Sequence, residues 1–334
     1  METVESELSN EEMILSFLAE GGSDFISGAT LSDKLGLSRT AVWKYVETLR
    51  KLGYTIEAQP ARGYRLLKVP DRLTPLEVSP LLSTRDLGRT LHHFEALPST
   101  NVQAFELAQE GALHGEVVIT ESQTAGKGRR GRAWVSPAGK NLAMSLILRP
   151  EIPPTRAPEL TLVAAVALAE TLKEAGANAQ IKWPNDVQLD GLKVAGILTE
   201  LSADTERVHF IVLGIGVNLN TEATDFPPDV RELATSVAIA RKQQVPRALF
   251  TAALLTKLEQ WLDTWQDEGF GPVREMWKSL SSILGKEVLV RSDAKELRGV
   301  AEDIDESGAL LLRIDGRLER VLAGDVEQVR PRKS

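Results

Sequence analysis

The chain contains no cysteine and only four histidines in 334 residues, two of them adjacent, His92 and His93. Without thiols there is no disulfide framework, no thiolate nucleophile and no thiolate metal site. So few imidazoles also leave little basis for a histidine metal centre. No apolar run reaches the roughly 20 residues that span a bilayer. The acidic N-terminus lacks the basic flank and apolar segment of a signal peptide. The expected location is the cytoplasm, with no membrane partner. Acids outnumber bases, giving a formal net charge of −8, which opposes any unfocused attraction to nucleic acid but leaves room for a local basic patch. The length suits two or three domains.

What is present is a concentrated stretch at 126–132, Gly-Lys-Gly-Arg-Arg-Gly-Arg, with three glycines and four cations in seven residues. Glycine packs nothing and costs backbone entropy, so three of them imply either close approach of backbone to a ligand or a loop that changes shape. Four neighbouring cations cannot neutralise one another and point to an anion. Free backbone N–H groups with Lys and Arg donors suit phosphate.

The first 68 residues carry helix signals. Ser9 and Glu12 have capping-box spacing before a helix with Met13, Ile14, Phe17 and Leu18 inward, and Gly21-Gly22 stops it. A second helix is expected from Thr30, with a turn at Gly36. Ser38 caps a third, whose inward stripe is Val42, Val46, Leu49 and Leu52 and whose other face shows Arg39, Thr40, Trp43, Lys44 and Arg50. Two strands around a turn at 60–63 follow. Helix, glycine turn, helix and ribbon match a winged helix-turn-helix. Residues 31–68 hold eight Lys/Arg against three acids, a local charge of +5. Arg39, Thr40 and Lys44 are placed near base edges and phosphates, and Arg62 and Arg65 on the ribbon are placed against backbone phosphate.

Pro70 and Pro75 bracket an expected linker. A strand at 93–97 leads to Ser99-Thr100-Asn101, which caps a helix ending at Gly111. A strand at 117–119 delivers the basic loop, with the next strand at 142–148 and an apolar helix at 160–172. In 181–187, Pro184 interrupts regular pairing, so Lys182, Asn185 and Asp186 are displayed from a turn; for Asn185 an Asx turn is the favoured reading. Asp190-Gly191 signals a tight hairpin with Lys193 on the returning strand. A strand at 208–215 ends in Gly214-Ile215-Gly216-Val217-Asn218, where the glycines fit either a close-approaching ligand or core packing. Two helices fill 247–280. About five short strands after 284 indicate a small barrel of the SH3 type.

Taken in order, the winged helix, the 126–132 loop, Lys-Trp-Pro-Asn-Asp at 182–186, Lys193 to Glu200, Gly-Ile-Gly-Val-Asn218 and the small barrel resemble the bifunctional biotin protein ligases that also repress biotin synthesis. The resemblance covers nearly the whole chain. It implies an α+β multidomain protein: a winged helix-turn-helix at 1–68, a mixed α/β catalytic domain of the biotin/lipoyl ligase type at 72–282 and an SH3-like barrel at 284–334. It implies ATP-dependent joining of biotin, through biotinyl-5′-AMP, to a lysine of the biotin carboxyl carrier protein of acetyl-CoA carboxylase. Operator DNA would be bound by a homodimer carrying the adenylate. Ser99, Thr100, Asn101, Gln123, Lys127, Gly128, Arg129 and Lys193 would contact biotin. Arg132, Trp134, Lys182, Asn185, Asp186 and Asn218 would serve the nucleotide. Lys193, Arg129 and Lys182 would act in catalysis, with Mg²⁺ supplied alongside ATP and no metal ligand assigned. The family's loop most often begins Gly-Arg-Gly; Lys127 keeps the charge but lacks the planar fork.

The implied chemistry sets a carboxylate against a polyphosphate and then holds a hydrolysable mixed anhydride. It therefore asks for cations and a mobile cover, and for no covalent nucleophile. Three other readings remain at this level: a ligand-responsive transcription factor without catalysis, a lipoate-type ligase, and a DNA-binding protein whose central domain only dimerises.

Overall fold

A computed structural model describes residues 9–291 and 296–329, so the outermost parts of the expected first and last domains, 1–8 and 330–334, lie outside the described residues. The chain divides into two units, 1–80 and 81–334.

The first unit holds α1 (Asn10–Glu20), α2 (Gly28–Leu35), α3 (Arg39–Lys51), the hairpin β1 (Thr55–Gln59) and β2 (Gly63–Lys68), and a short α4 (Pro75–Val78). The capping box at Ser9 and Glu12 forms in both directions. The second helix starts earlier than expected. Ser27, not Thr30, is the N-cap, and its hydroxyl accepts from the Thr30 amide at 3.0 Å. Gly36 sits at φ 65°, a left-handed turn that glycine takes at little cost. Ile14, Leu18, Leu31, Val42, Val46 and Leu49 form the core.

Residues after Pro70 are not a loose linker. Leu76 packs on that core, and the buried Tyr54 hydroxyl donates to Glu77 at 2.6 Å. Burial, with that hydrogen bond, pushes the Tyr54 phenol well above its ordinary value.

The second unit runs β3 (Leu91–Phe94), α5 (Thr100–Gln109), β4 (Val117–Thr120), β5 (Gln123–Lys127), β6 (Ala133–Ser136), β7 (Leu142–Leu148), α6 (Ala157–Glu174), β8 (Ala179–Lys182), β9 (Asp186–Leu189), β10 (Leu192–Ala203), β11 (Val208–Val217), α7 (Val237–Arg241), α8 (Arg247–Glu268) and α9 (Phe270–Leu280). Strands β12 (Glu287–Arg291), β13 (Glu296–Ile304), β14 (Leu310–Ile314), β15 (Arg317–Val321) and β16 (Asp325–Gln328) follow. Seven strands form one mixed sheet in the order β3-β4-β7-β11-β10-β9-β8, in which only the β3–β4 pair is parallel. The last five form an antiparallel sheet, β15-β14-β13-β12-β16.

Alternation along β11 separates the two faces of the large sheet. Phe210 and Val212 join α5 residues Ala104 and Ala108, and Phe105 meets Phe210 edge-on at 4.9 Å. On the opposite face lies α6, whose Thr161 bonds Thr199 of β10 at 2.8 Å. Thirteen of its residues are buried, so it is covered all round, by the sheet and by α8 and α9, rather than amphipathic. No helix among the described residues is long and apolar enough to cross a membrane.

Candidate functional site

On the α5 face of the large sheet, three strand glycines replace side chains: Gly214 and Gly216 of β11, and Gly196 of β10, the cross-strand partner of Gly216. A Cβ at Gly214 would lie 2.0 Å from Asn101 Oδ1, and one at Gly216 would lie 2.6 Å from the Trp134 ring. The groups approaching these glycines are side chains of the same chain, one of them on α5, which is the packing alternative, and they shape a cavity. That cavity, about 560 Å³, is lined by Ser99, Thr100, Asn101, Gln123, Lys127, Gly128, Arg129, Arg132, Trp134, Lys182, Asn185, Asp186, Lys193 and Asn218. Every ligand-site candidate named from the sequence is therefore at one place, in a volume typical of small-molecule sites.

The polar end is built at the start of α5. Ser99 occupies the N-cap position, yet its side chain makes no capping bond. The Thr100 amide and hydroxyl donate to Gln123 Oε1 at 2.8 and 3.2 Å. Asn101 is committed internally. Its amide donates to Leu198 O at 3.1 Å and Glu200 at 2.7 Å, and its Oδ1 accepts from Ser145 at 2.6 Å. Asn218 is likewise committed, with its Nδ2 donating to Thr235 O at 3.1 Å and its Oδ1 accepting from Asn141 at 3.3 Å. These two buried carboxamides hold the wall in place. Ser99 Oγ and Gln123 Nε2 make no side-chain hydrogen bond among the described residues.

The cationic end is built by the 126–132 segment and the turn before β9. The loop is not a bare connection between β4 and β7, because β5 and β6 form a ribbon of their own, pairing Gly126 with Trp134 and Lys127 with Ala133. At its tip Arg130 adopts φ 56° and Gly131 φ 72°. Gly128, in contrast, is extended at φ −105°, and a Cβ there would meet Arg132 O only at 3.4 Å. Besides Gly131, which its φ favours, packing demands glycine at Gly126, whose Cβ would lie 2.5 Å from Trp134 O.

Arg129 donates to Asn185 Oδ1 and to Gly324 O, both at 3.4 Å. Burial holds its guanidinium below its ordinary value, opposed by Asp325 and Asp186. Asn185 does not make the expected Asx turn; its Nδ2 donates to Ile197 O at 2.7 Å and so ties the turn to β10. Lys193 pairs with Asp186 at 2.6 Å, and its Nζ lies 5.7 Å from the Trp134 ring centroid. Lys127 and Lys182 have no ion pair among the described residues.

Sequence reasoning missed Asp325. It stands at the start of β16, lines the cavity, and receives Arg132 and, at 3.3 Å, Arg130. Its distance from the loop in sequence left no local signal. It also missed the buttress behind the Trp183-Pro184 turn, where the buried Trp183 Nε1 donates to Gly308 O at 3.0 Å in the turn between β13 and β14.

In the first unit, Arg39, Thr40 and Lys44 are exposed on α3. The two ribbon arginines differ. Both lie over the Phe25 ring, at 4.3 Å for Arg62 and 4.6 Å for Arg65. Arg65 also pairs with Glu57 at 2.6 Å and donates to Ser23 O at 3.1 Å, and this holds the Glu57 carboxyl below the usual range. Arg62 is exposed and among the described residues its side chain hydrogen-bonds only Gln59, at 3.0 Å, so it is the freer arm for the contact expected of both.

Comparison with known proteins agrees with this layout. The biotin/lipoate A/B protein ligase family matches 93–218, an HTH domain 10–65, and the biotin protein ligase C-terminal domain 283–328. The bifunctional ligase/repressor BirA of Bacillus subtilis is 40% identical over 94% of this chain and 97% of its own length. BirA of Escherichia coli is 34% identical over 94% and 95%. A biotin protein ligase from Aquifex aeolicus, solved in complex with biotin and ATP, superposes with a TM-score of 0.64 at 25% identity, covering 73% of this chain and 100% of that one. The chain belongs to the biotin protein ligase family, in its bifunctional ligase/repressor branch.

Proposed function

We propose that this ligase/repressor joins biotin to a lysine of the biotin carboxyl carrier protein of acetyl-CoA carboxylase, through biotinyl-5′-AMP. The supporting observation is the convergence of the Ser99–Gln123 polar end and the Lys193–Arg129 cationic end on one cavity. The biotin carboxylate attacks the α-phosphorus of ATP and pyrophosphate leaves; the carrier amine then attacks the mixed anhydride and AMP leaves. Biotin's neutral ureido group takes the polar end, where Ser99 Oγ and Gln123 Nε2 are free to bond it while Thr100 and Asn101 brace them. Its carboxylate reaches Lys193 and Arg129. Trp134, with a buried Nε1 that has no protein partner, lies on the nucleotide side with Lys182, Asn185 and Asp186.

Lys193, Arg129 and Lys182 offset the charge that gathers as two anions meet, in a site where partial burial strengthens each interaction. Arg132 and Lys127 stand at the rim to cover the anhydride, with Gly126, Gly128 and Gly131 giving the loop its mobility. Asp186 is the cavity carboxylate that would help hold Mg²⁺ brought with ATP, and the ion would neutralise phosphate charge. Among the described residues no group of three His, Cys, Asp or Glu is arranged to cage one.

We read the chain as three working parts, 1–68 for DNA, 72–282 for ligation and 284–334 for steadying the loop through Asp325. The adenylate acts as corepressor for a homodimer on operator DNA. Supporting the dimer, Thr199–Ala203 of β10 pair with β11 alone among the described residues and leave an open sheet edge. Incubation with ATP, Mg²⁺, biotin and a carrier domain, followed by mass measurement of the carrier, tests the ligation; an unchanged carrier mass refutes it. Lipoate that displaces labelled biotin as well as biotin itself does would move the assignment to lipoate. Sedimentation with and without biotinyl-AMP, beside a DNA shift assay, tests the switch.

A further inference from the structure

Of the six tryptophans, all within the described residues, only Trp43 is exposed, at 52%. It does not belong to the stripe that α3 buries, which is Val42, Val46 and Leu49. On the outer face it follows Arg39 by four residues and Thr40 by three, and Lys44 follows Thr40 by four, so these side chains share one surface of the helix. The acid on the next turn, Glu47, is held by Arg50 at 2.6 Å. An indole standing in water gains free energy when something covers it.

We infer that Trp43 is a specificity residue of the DNA reading, packing its ring on thymine methyl groups in the major groove. The inference rests on the assignment of α3 as the helix that enters DNA. Positions 39 to 44 rise by about 7.5 Å along the helix, the span of roughly two base-pair steps. They lie in the first turns of α3, the part of a recognition helix that reaches base edges. The thymine C5 methyl is the apolar group the major groove offers, and it distinguishes thymine from cytosine. The flanking cations Arg39 and Lys44 suit a polyanion and oppose an apolar protein partner on the same surface.

The full-length chain, with biotin and ATP present, selects from a pool of random DNA duplexes. Each thymine of the enriched consensus is then replaced singly by deoxyuridine, which removes only the methyl. Wild type should lose about fourfold in affinity at one thymine or more, the value of one buried carbon. Trp43→Ala should bind the consensus about tenfold more weakly and lose that methyl sensitivity, while Trp43→Phe retains most of both. Arg39→Ala should weaken binding and keep the methyl sensitivity. If Trp43→Ala selects the same consensus with the same deoxyuridine profile, the inference falls and the DNA reading stands. If wild type enriches no consensus, both fall. If Trp43→Ala instead changes only the sedimenting mass, Trp43 serves a protein contact and the inference is wrong.

Discussion

Two clusters of cations sit on this chain, and they are presented in opposite ways. On α3, Arg39 and Lys44 stand exposed on a helix capped by Ser38, with the nearby acid Glu47 turned to Arg50. In the 126–132 loop, Arg130 and Arg132 are answered by Asp325, and Arg129 by Asn185 and Gly324. A helix whose Arg39 and Lys44 have no ion pair among the described residues suits an extended, regularly spaced polyanion, because none of those pairs must be broken before contact. A ribbon whose three arginines already have partners suits a small anion that must be enclosed and later released. A ligand bound there would have to exchange one set of bonds for another, and the loop would move with the exchange.

The comparison can be broken most severely at Lys193. Lys193→Ala should cut pyrophosphate release with biotin and ATP by about 10²- to 10³-fold while circular dichroism stays unchanged. Normal turnover would remove the cavity's cations from the chemistry. On the other cluster, Arg39→Ala should weaken operator binding by about 10- to 100-fold, the scale of one base-edge contact, and leave carrier biotinylation at the wild-type rate. Loss of both activities would show that the two clusters are not independent.

The loop itself gives a sharper test. Gly126→Val must displace the Trp134 carbonyl and should speed escape of biotinyl-AMP roughly tenfold, whereas Gly128→Val, at an extended and roomy position, should change it far less. Equal effects would mean that glycine content, not the ribbon geometry, controls release. Asp325→Asn should remove the ion pairs of Arg130 and Arg132 and raise trypsin cleavage in the loop of the ligand-free protein by about threefold. An unchanged cleavage rate would show that Asp325 does not hold the loop.

The smallest effect is expected in the turn that carries Gly308. Burial would raise the Asp305 carboxyl, but its bonds to Arg320, Ser307 and Ala309 outweigh that and hold it at about 2, below the ordinary 3.8. A depressed carboxyl contributes stability that is complete above 3.8 and is lost as pH falls through 2. Thermal midpoints measured from pH 5 to pH 2 should therefore fall less steeply in Asp305→Asn than in wild type; identical slopes would refute this.

Local signals carried much of the fold. The Ser9 capping box, the Ser38 cap, the Asp190-Gly191 turn at φ 49° and 82°, and the alternation of the last strands are encoded within a few residues of where they act. The early start of α2 was hidden because Ser27 and Thr30 are both good caps, and only the chain's approach from Ile26, paired with Tyr64, selects the first. The ribbon β5–β6 was hidden for a related reason: glycines and arginines have little strand preference, and the pairing is imposed by Trp134 docking over Gly216.

The sequence by itself determined which residues would be gathered at one cavity. Charge, glycine and hairpin chemistry are local properties, and all fourteen ligand-site candidates do line one cavity. Only the tertiary structure decided how those residues divide the work. Asn101 and Asn218 face the cavity with their amides already bonded, Ser99 and Gln123 keep free groups, and Arg65 is locked by Glu57 where Arg62 is not. Hydrogen-bond capacity is finite, and a side chain's availability depends on every partner that folding brings to it. Asp325 reaches the loop across nearly two hundred residues of chain, a separation that leaves no local signal of the pairing.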